Sequence, residues 1–143
     1  MKIVIPGVPI GKGRPKFSTF NGYPKAYTPK ATVNYENLVK LAFHQSGEKP
    51  FEKGEQLRAE ITAYFPIPKS TSKKKQFEMQ SGLIMHTKKP DADNIAKAIL
   101  DALNGLAYYD DSQVCELGVV KMYGEYPRAE VVIKSLQQAH TSP

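Results

Sequence analysis

From Leu57 to Phe65 the chain alternates without a break. Leu57, Ala59, Ile61, Ala63 and Phe65 share one parity, and Arg58, Glu60, Thr62 and Tyr64 share the other. Successive side chains of a strand point to opposite faces, so this run predicts a strand with one face on a core and one face wet. Pro66 and Pro68 close it. Such a strand needs partners, and three other stretches can supply them. Residues 2–10 read as a strand near a sheet edge, because of Pro6 and Pro9. Residues 114–123 and 128–134 read as two more, with Gly124-Glu125-Tyr126-Pro127 as a hairpin turn between them. Met85-His86-Thr87 suggests a brief strand, and Tyr23–Tyr27 a short extended piece after a basic, glycine-punctuated loop at Gly11–Lys16.

Three helices are expected between these strands. The first runs over 29–46, with Thr28 as N-cap and Pro29 at its first position, and carries Val33, Tyr35, Leu38, Val39, Leu41 and Ala42 on its apolar face. The second spans about 71–81, started by Ser70, Thr71 or Ser72 and stopped before Gly82. The third spans 93–104, with Asp91 and Asp93 at its start and Asn104-Gly105 at its end. Ile95, Ile99, Ala102 and Leu103 form its buried stripe, and Asp93, Lys97 and Asp101, four apart, a separate polar one. The expected architecture is α+β, a mixed sheet of about four strands packed with about three helices. The absence of linkers and repeats predicts one domain over 1–143, with a frayed tail at 137–143.

Charge narrows the function. Residues 1–90 hold 16 Lys/Arg against 6 Glu and no Asp, whereas residues 91–143 hold 4 Lys/Arg against 8 Asp/Glu. The overall charge of +6 favours a polyanionic partner, and nucleic acid fits better than a membrane surface. No run approaches ~18 apolar residues, so no membrane span is expected. The opening Met1–Ile5, broken by Pro6, is too short for a secretory h-region. One cysteine, Cys115, excludes an internal disulfide and a multi-cysteine zinc site, and points to a reducing, cytoplasmic setting.

All five Asp fall between Asp91 and Asp111. Two carboxylates at a helix start can simply complement the helix dipole. A cap needs only one, however, and a second pair, Asp110-Asp111, follows just after the helix. Carboxylates brought close repel one another unless a cation sits between them. A hard cation such as Mg²⁺ binds through a few carboxylates, can activate a water and can hold a phosphate oxygen. Lys97 can form an i,i+4 ion pair with Asp93 or stand near a scissile phosphate. Asp101 is read as orienting Lys97, and His86 as structural. Gly11-Lys12-Gly13-Arg14 fails the Walker pattern, because Gly13 follows where Ser or Thr is required. Lys12, Arg14 and Lys16 suit a basic loop over a nucleic-acid backbone. Lys73, Lys74 and Lys75 can be a solvated helix face, but Lys69, Lys88 and Lys89 add to the same region as phosphate contacts.

Lys89-Pro90-Asp91-Ala92-Asp93-Asn94-Ile95-Ala96-Lys97, then Asp101–Gly105, then Asp110-Asp111-Ser112-Gln113-Val114, resemble the RusA family of Holliday-junction resolvases. Pro6-Gly7-Val8-Pro9 and Gly13-Arg14-Pro15-Lys16 also resemble its phage and prophage members. The resemblance implies a homodimeric endonuclease that uses Mg²⁺, with Mn²⁺ able to substitute. It would nick two opposing strands of a four-way DNA junction in recombination and repair. It implies Asp91, Asp93 and Asp111 as metal ligands, Lys97 as the essential lysine, and Asp110, Asp101 and Asn94 in support. Two other readings stay open: a metal-dependent nuclease of another structure specificity, and a non-catalytic junction-binding protein. Phe43, Phe51 and Phe77 are candidates for a dimer surface or for core packing.

Overall fold

The alternating segment forms an interior strand of a four-stranded sheet. The computed structural model describes residues 1–20 and 22–137. Its elements are β1 (Lys2–Pro6), β2 (Lys16–Phe20), β3 (Tyr23–Tyr27), α1 (Lys30–Ser46), β4 (Leu57–Pro66), α2 (Lys73–Gln80), α3 (Ala92–Ala102), a 3-10 turn (Asp111–Gln113), β5 (Val114–Gly124) and β6 (Arg128–Ser135). The sheet order is β1-β6-β4-β5. β4 runs antiparallel to β6 and parallel to β5, so the sheet is mixed. The fold is α+β, as the pattern predicts.

The core lies on one face of that sheet. Leu57, Ala59, Ile61, Ala63 and Phe65 of β4 point into it, with Ile3 and Ile5 of β1 and Ala129, Val131 and Ile133 of β6. α1 and α3 close it with Tyr35, Val39, Phe43, Ile95 and Ile99. Burying each large aliphatic side chain contributes roughly 1.5–3 kcal/mol, which is why parity along a strand decides its orientation. The opposite parity of β4 stays half-buried, and there Arg58 bridges Glu60 and Glu116.

Several local expectations are corrected. β5 and β6 do not form a hairpin with each other, because β4 lies between them. The turn after Gly124 instead passes over the end of β4, whose residue Tyr64 is the last to pair with β6, opposite Arg128. Met85–Thr87 is not a strand, and only the His86 N–H reaches β5, donating to the Lys121 carbonyl at 3.2 Å. Pro29, not Thr28, is the N-cap of α1, without a side-chain cap bond. Val33 and Leu41 of α1 are exposed, while Thr32 is buried because its Oγ1 accepts the Gly13 N–H at 2.9 Å. Phe43 belongs to the core, Phe51 packs against it, and Phe77 is exposed. Ser72 caps α2, accepting from the Lys75 N–H. β2 and β3 form a separate two-stranded hairpin that the sequence reading divides into a loop and an extended piece. Beyond Gln137 the expected tail lies outside the described residues. No helix among the described residues is long and apolar enough to cross a membrane.

Candidate active site

α3 positions the acids. Its stripe of Ile95, Ala98, Ile99 and Ala102 is buried, which forces the opposite stripe, Asp93 and Lys97, out to solvent, with Asp101 half-buried beyond them. Asp91 occupies the N-cap position but makes no side-chain cap bond. Its carboxylate instead accepts two bonds from the Lys89 Nζ, at 2.8 and 2.9 Å. That hydrogen bond holds its pKa below the usual carboxylate value, with help from the charges of Lys89 and Lys121. Helix capping therefore does not account for Asp91.

The second pair is held at the far end of the helix. After Gly105 the chain turns, and the Tyr108 hydroxyl donates to the Leu100 carbonyl at 2.5 Å. The Asp111 N–H donates to Asn104 Oδ1 at 2.7 Å. Asp110 caps the 3-10 turn by accepting the Ser112 N–H at 3.1 Å, which lowers its own pKa. The Gln113 side chain ties this segment to the body of the protein. Its Oε1 accepts the N–H groups of Tyr109 and Asp110, and its Nε2 donates to the carbonyls of Glu52 and Glu55. Burial, with the facing carboxyls of Asp110 and Asp101, raises the pKa of Asp111.

The structure thus joins Asp111 to Asp101 and Asp110, and leaves Asp91 with Lys89 near Lys121. α3 is roughly 16 Å long, and Asp93 lies about two turns from Asp101. Among the described residues no three acid, His or Cys side chains are grouped to hold one metal ion. Of the expected set, Asp91 and Asp93 stand at the start of α3 and Asp111 beside Asp101 at its other end. The chain after Gly105 turns back to the end of the helix and not to its start.

The basic residues separate into two kinds. Arg14, Lys16, Lys69, Lys73, Lys74, Lys75, Lys88 and Lys89 are exposed. Lys12 is half-buried and ion-paired within the protein, its Nζ 2.7 Å from Glu36 and 3.4 Å from Asp101. Burial alone would lower its pKa, but the two carboxylates outweigh it and the net shift is upward. The loop carrying Lys12 threads between α1 and α3. The Lys12 N–H donates to the Asn94 carbonyl at 2.9 Å. A Cβ on Gly11 would stand 2.9 Å from Pro90 Cβ, and one on Gly13 2.9 Å from Pro29 Cγ, so glycine alone permits this approach.

Lys12→Met is therefore expected to destabilise the fold by about 1–2 kcal/mol, since it leaves two half-buried carboxylates facing each other. Thermal unfolding followed by circular dichroism would show a fall of a few degrees. An unchanged Tm with weaker DNA binding and a shallower salt slope would return Lys12 to the DNA surface.

Glu36, Asn104, Gln113 and Lys121 take part in this region, although the sequence assigns Asn104 only to the end of the helix and gives the other three no role. Only Gln113 carries a legible sign, as a polar side chain three residues after a capping Asp. His86 is stacked on Phe65, ring centroids 3.7 Å apart, and burial with Lys121 and Lys88 lowers its pKa.

Comparison with known proteins gives a concordant result. The family model described as Endodeoxyribonuclease RusA matches residues 6–134. The chain is 32% identical over 108 residues to a Lactococcus phage r1t protein named Crossover junction endodeoxyribonuclease rusA, covering 75% of each. It is also 38% identical over 138 residues to the Bacillus subtilis (strain 168) protein YqaN, described as uncharacterized, covering 95% of this chain and 96% of that one.

Proposed function

The chain belongs to the endodeoxyribonuclease RusA family, and from that premise we propose that it is a crossover junction endodeoxyribonuclease, a homodimer that resolves four-way DNA junctions by paired nicks with Mg²⁺. The observation that carries the reading is the family match across 6–134, which spans every acid of the Asp window. The structure supports it physically. Asp93 and Lys97 are exposed side by side on one helix stripe, which suits a phosphodiester approaching from solvent.

Asp91, Asp93 and Asp111 are the proposed metal ligands. One protomer keeps Asp111 beside Asp101, so the second protomer that two nicks require is also what can bring the two acid groups together. A divalent ion there would supply an activated water and offset the crowded carboxylates. Lys97 would hold a positive charge beside the scissile phosphate, where negative charge grows in the transition state. The exposed lysines Lys69, Lys73, Lys74, Lys75, Lys88 and Lys89, with Arg14 and Lys16, would neutralise backbone phosphates.

The test is a parallel assay on four-way junction, linear duplex, flap and RNA substrates with Mg²⁺, Mn²⁺ or chelator. The expected result is symmetric nicking of the four-way junction alone, abolished by chelator. Equal cutting of flap or RNA would overturn the specificity. Junction binding without cutting under any divalent ion would identify a non-catalytic binder.

A further inference from the structure

The β2–β3 hairpin offers a surface that neither the acids nor the lysine clusters use. Its strands pair with each other and, among the described residues, with no other strand. It leaves Phe17, Tyr23 and Tyr27 exposed, at 73%, 76% and 48%. An isolated two-stranded hairpin is marginally stable in water, and aromatic side chains left exposed on one gain nothing from the protein's own core. The register places Lys16 opposite Tyr27 and Ser18 opposite Lys25. Opposed residues share a face, as do residues two apart on one strand, so Tyr23, Lys25 and Tyr27 line one face of β3 beside Lys16. Neighbours on that face stand about 7 Å apart along the strand.

Charge decides between possible occupants. The first 35 residues contain no Asp or Glu, and the hairpin and its root carry Arg14, Lys16 and Lys25. A second copy of the hairpin would meet like charge, whereas a polyanion would not. Aromatic faces interleaved with lysines suit unpaired nucleotides: the rings stack on bases and the ammonium groups meet phosphates. The root of the hairpin is fixed beside the acids. Gly13 just before it is bonded to Thr32 of α1, and Lys12 to Asn94 and Asp101 of α3.

We propose that the β2–β3 hairpin is a nucleic-acid arm that stacks unpaired bases on Tyr23 and Tyr27, with Lys16 and Lys25 on the adjoining phosphates. The proposal deepens the junction-resolving reading and rests on it for the source of those bases, the branch point of the DNA. The arm would then hold an opened branch point next to the polar stripe of α3.

The experiment compares the full chain with Y23A/Y27A and Y23F/Y27F. Each is titrated against a four-way junction carrying 2-aminopurine at the branch point, a linear duplex, and a single-stranded oligonucleotide carrying 2-aminopurine. Y23A/Y27A is expected to lose roughly tenfold in affinity per tyrosine on the junction and the single strand, together with the quenching of 2-aminopurine. Duplex affinity should stay within about twofold, and Y23F/Y27F should behave as the parent because phenylalanine stacks as well. Unchanged junction and single-strand binding by Y23A/Y27A would overturn the proposal, as would an equal loss on all three substrates. A lower mass in sedimentation would overturn it in favour of a contact between copies of the chain. If the parent ignores the junction but the single strand still distinguishes the variants, the resolvase reading fails and the stacking arm stands.

Discussion

Asp93→Asn is expected to bind four-way junctions within about twofold of the parent and to nick them at least about a hundredfold more slowly in Mg²⁺. The amide keeps the shape of the side chain but removes the charge that a hard cation needs. Asp93 is exposed and makes no side-chain hydrogen bond or ion pair among the described residues, so stability should not change. Junction affinity should hold or rise, because one negative charge leaves a DNA-facing surface. Wild-type cutting by this variant would remove Asp93 from the metal site. A complementation assay adds a geometric test. In a mixture of Asp93→Asn and Asp111→Asn proteins, a site built across two protomers leaves one intact site in every mixed dimer. About a quarter of parental nicking should then return after subunit exchange. A site contained within each protomer would return none.

The second large effect is on stability. Gln113→Leu should lower the unfolding free energy by about 3–5 kcal/mol and the Tm by roughly 10 °C. Gln113 is 9% exposed and serves four main-chain groups, two N–H donors and two carbonyls. Leucine fills a similar volume but leaves all four without their partner, and unsatisfied buried polar groups are costly. Nicking should fall with stability even below the Tm, because the same bonds hold the turn that presents Asp110 and Asp111. Gln113→Glu keeps an acceptor for Tyr109 and Asp110 but sets a carboxylate oxygen against the Glu52 and Glu55 carbonyls, so it should destabilise at least as much. A Gln113→Leu protein with unchanged melting would show that water replaces these bonds without loss.

The elements of this fold follow from local pattern. The parity of Leu57–Phe65 marks β4, and the stripe Ile95, Ile99, Ala102 and Leu103 marks the buried side of α3. Both signals are local and strong, because each misplaced side chain would forfeit burial. Pairing was less legible. A short turn between two strands normally reports a hairpin, yet β4 lies between β5 and β6. That choice belongs to long-range packing, since β4 has the N–H and C=O groups of both its edges paired only when strands flank it on both sides. The β2–β3 hairpin is illegible for the opposite reason: with Lys16–Thr19 and Tyr23–Tyr27 exposed, its strands show no apolar alternation to read.

The acids divide in the same way. Their identity, their concentration between Asp91 and Asp111, and their exclusion from the buried stripe of α3 were all present in the sequence. Family membership was legible there too, through the ordered run from Lys89 to Val114. What only the tertiary structure decided is which acids meet. The buried Tyr108 hydroxyl, Asn104 and Gln113 fold the segment after Gly105 against the end of α3. Those bonds place Asp111 beside Asp101, while Lys89 holds Asp91 at the other end. Spacing along a chain sets which side of a helix a residue takes. Which end of that helix a later loop returns to depends on hydrogen bonds between residues distant in sequence, and no local pattern records them.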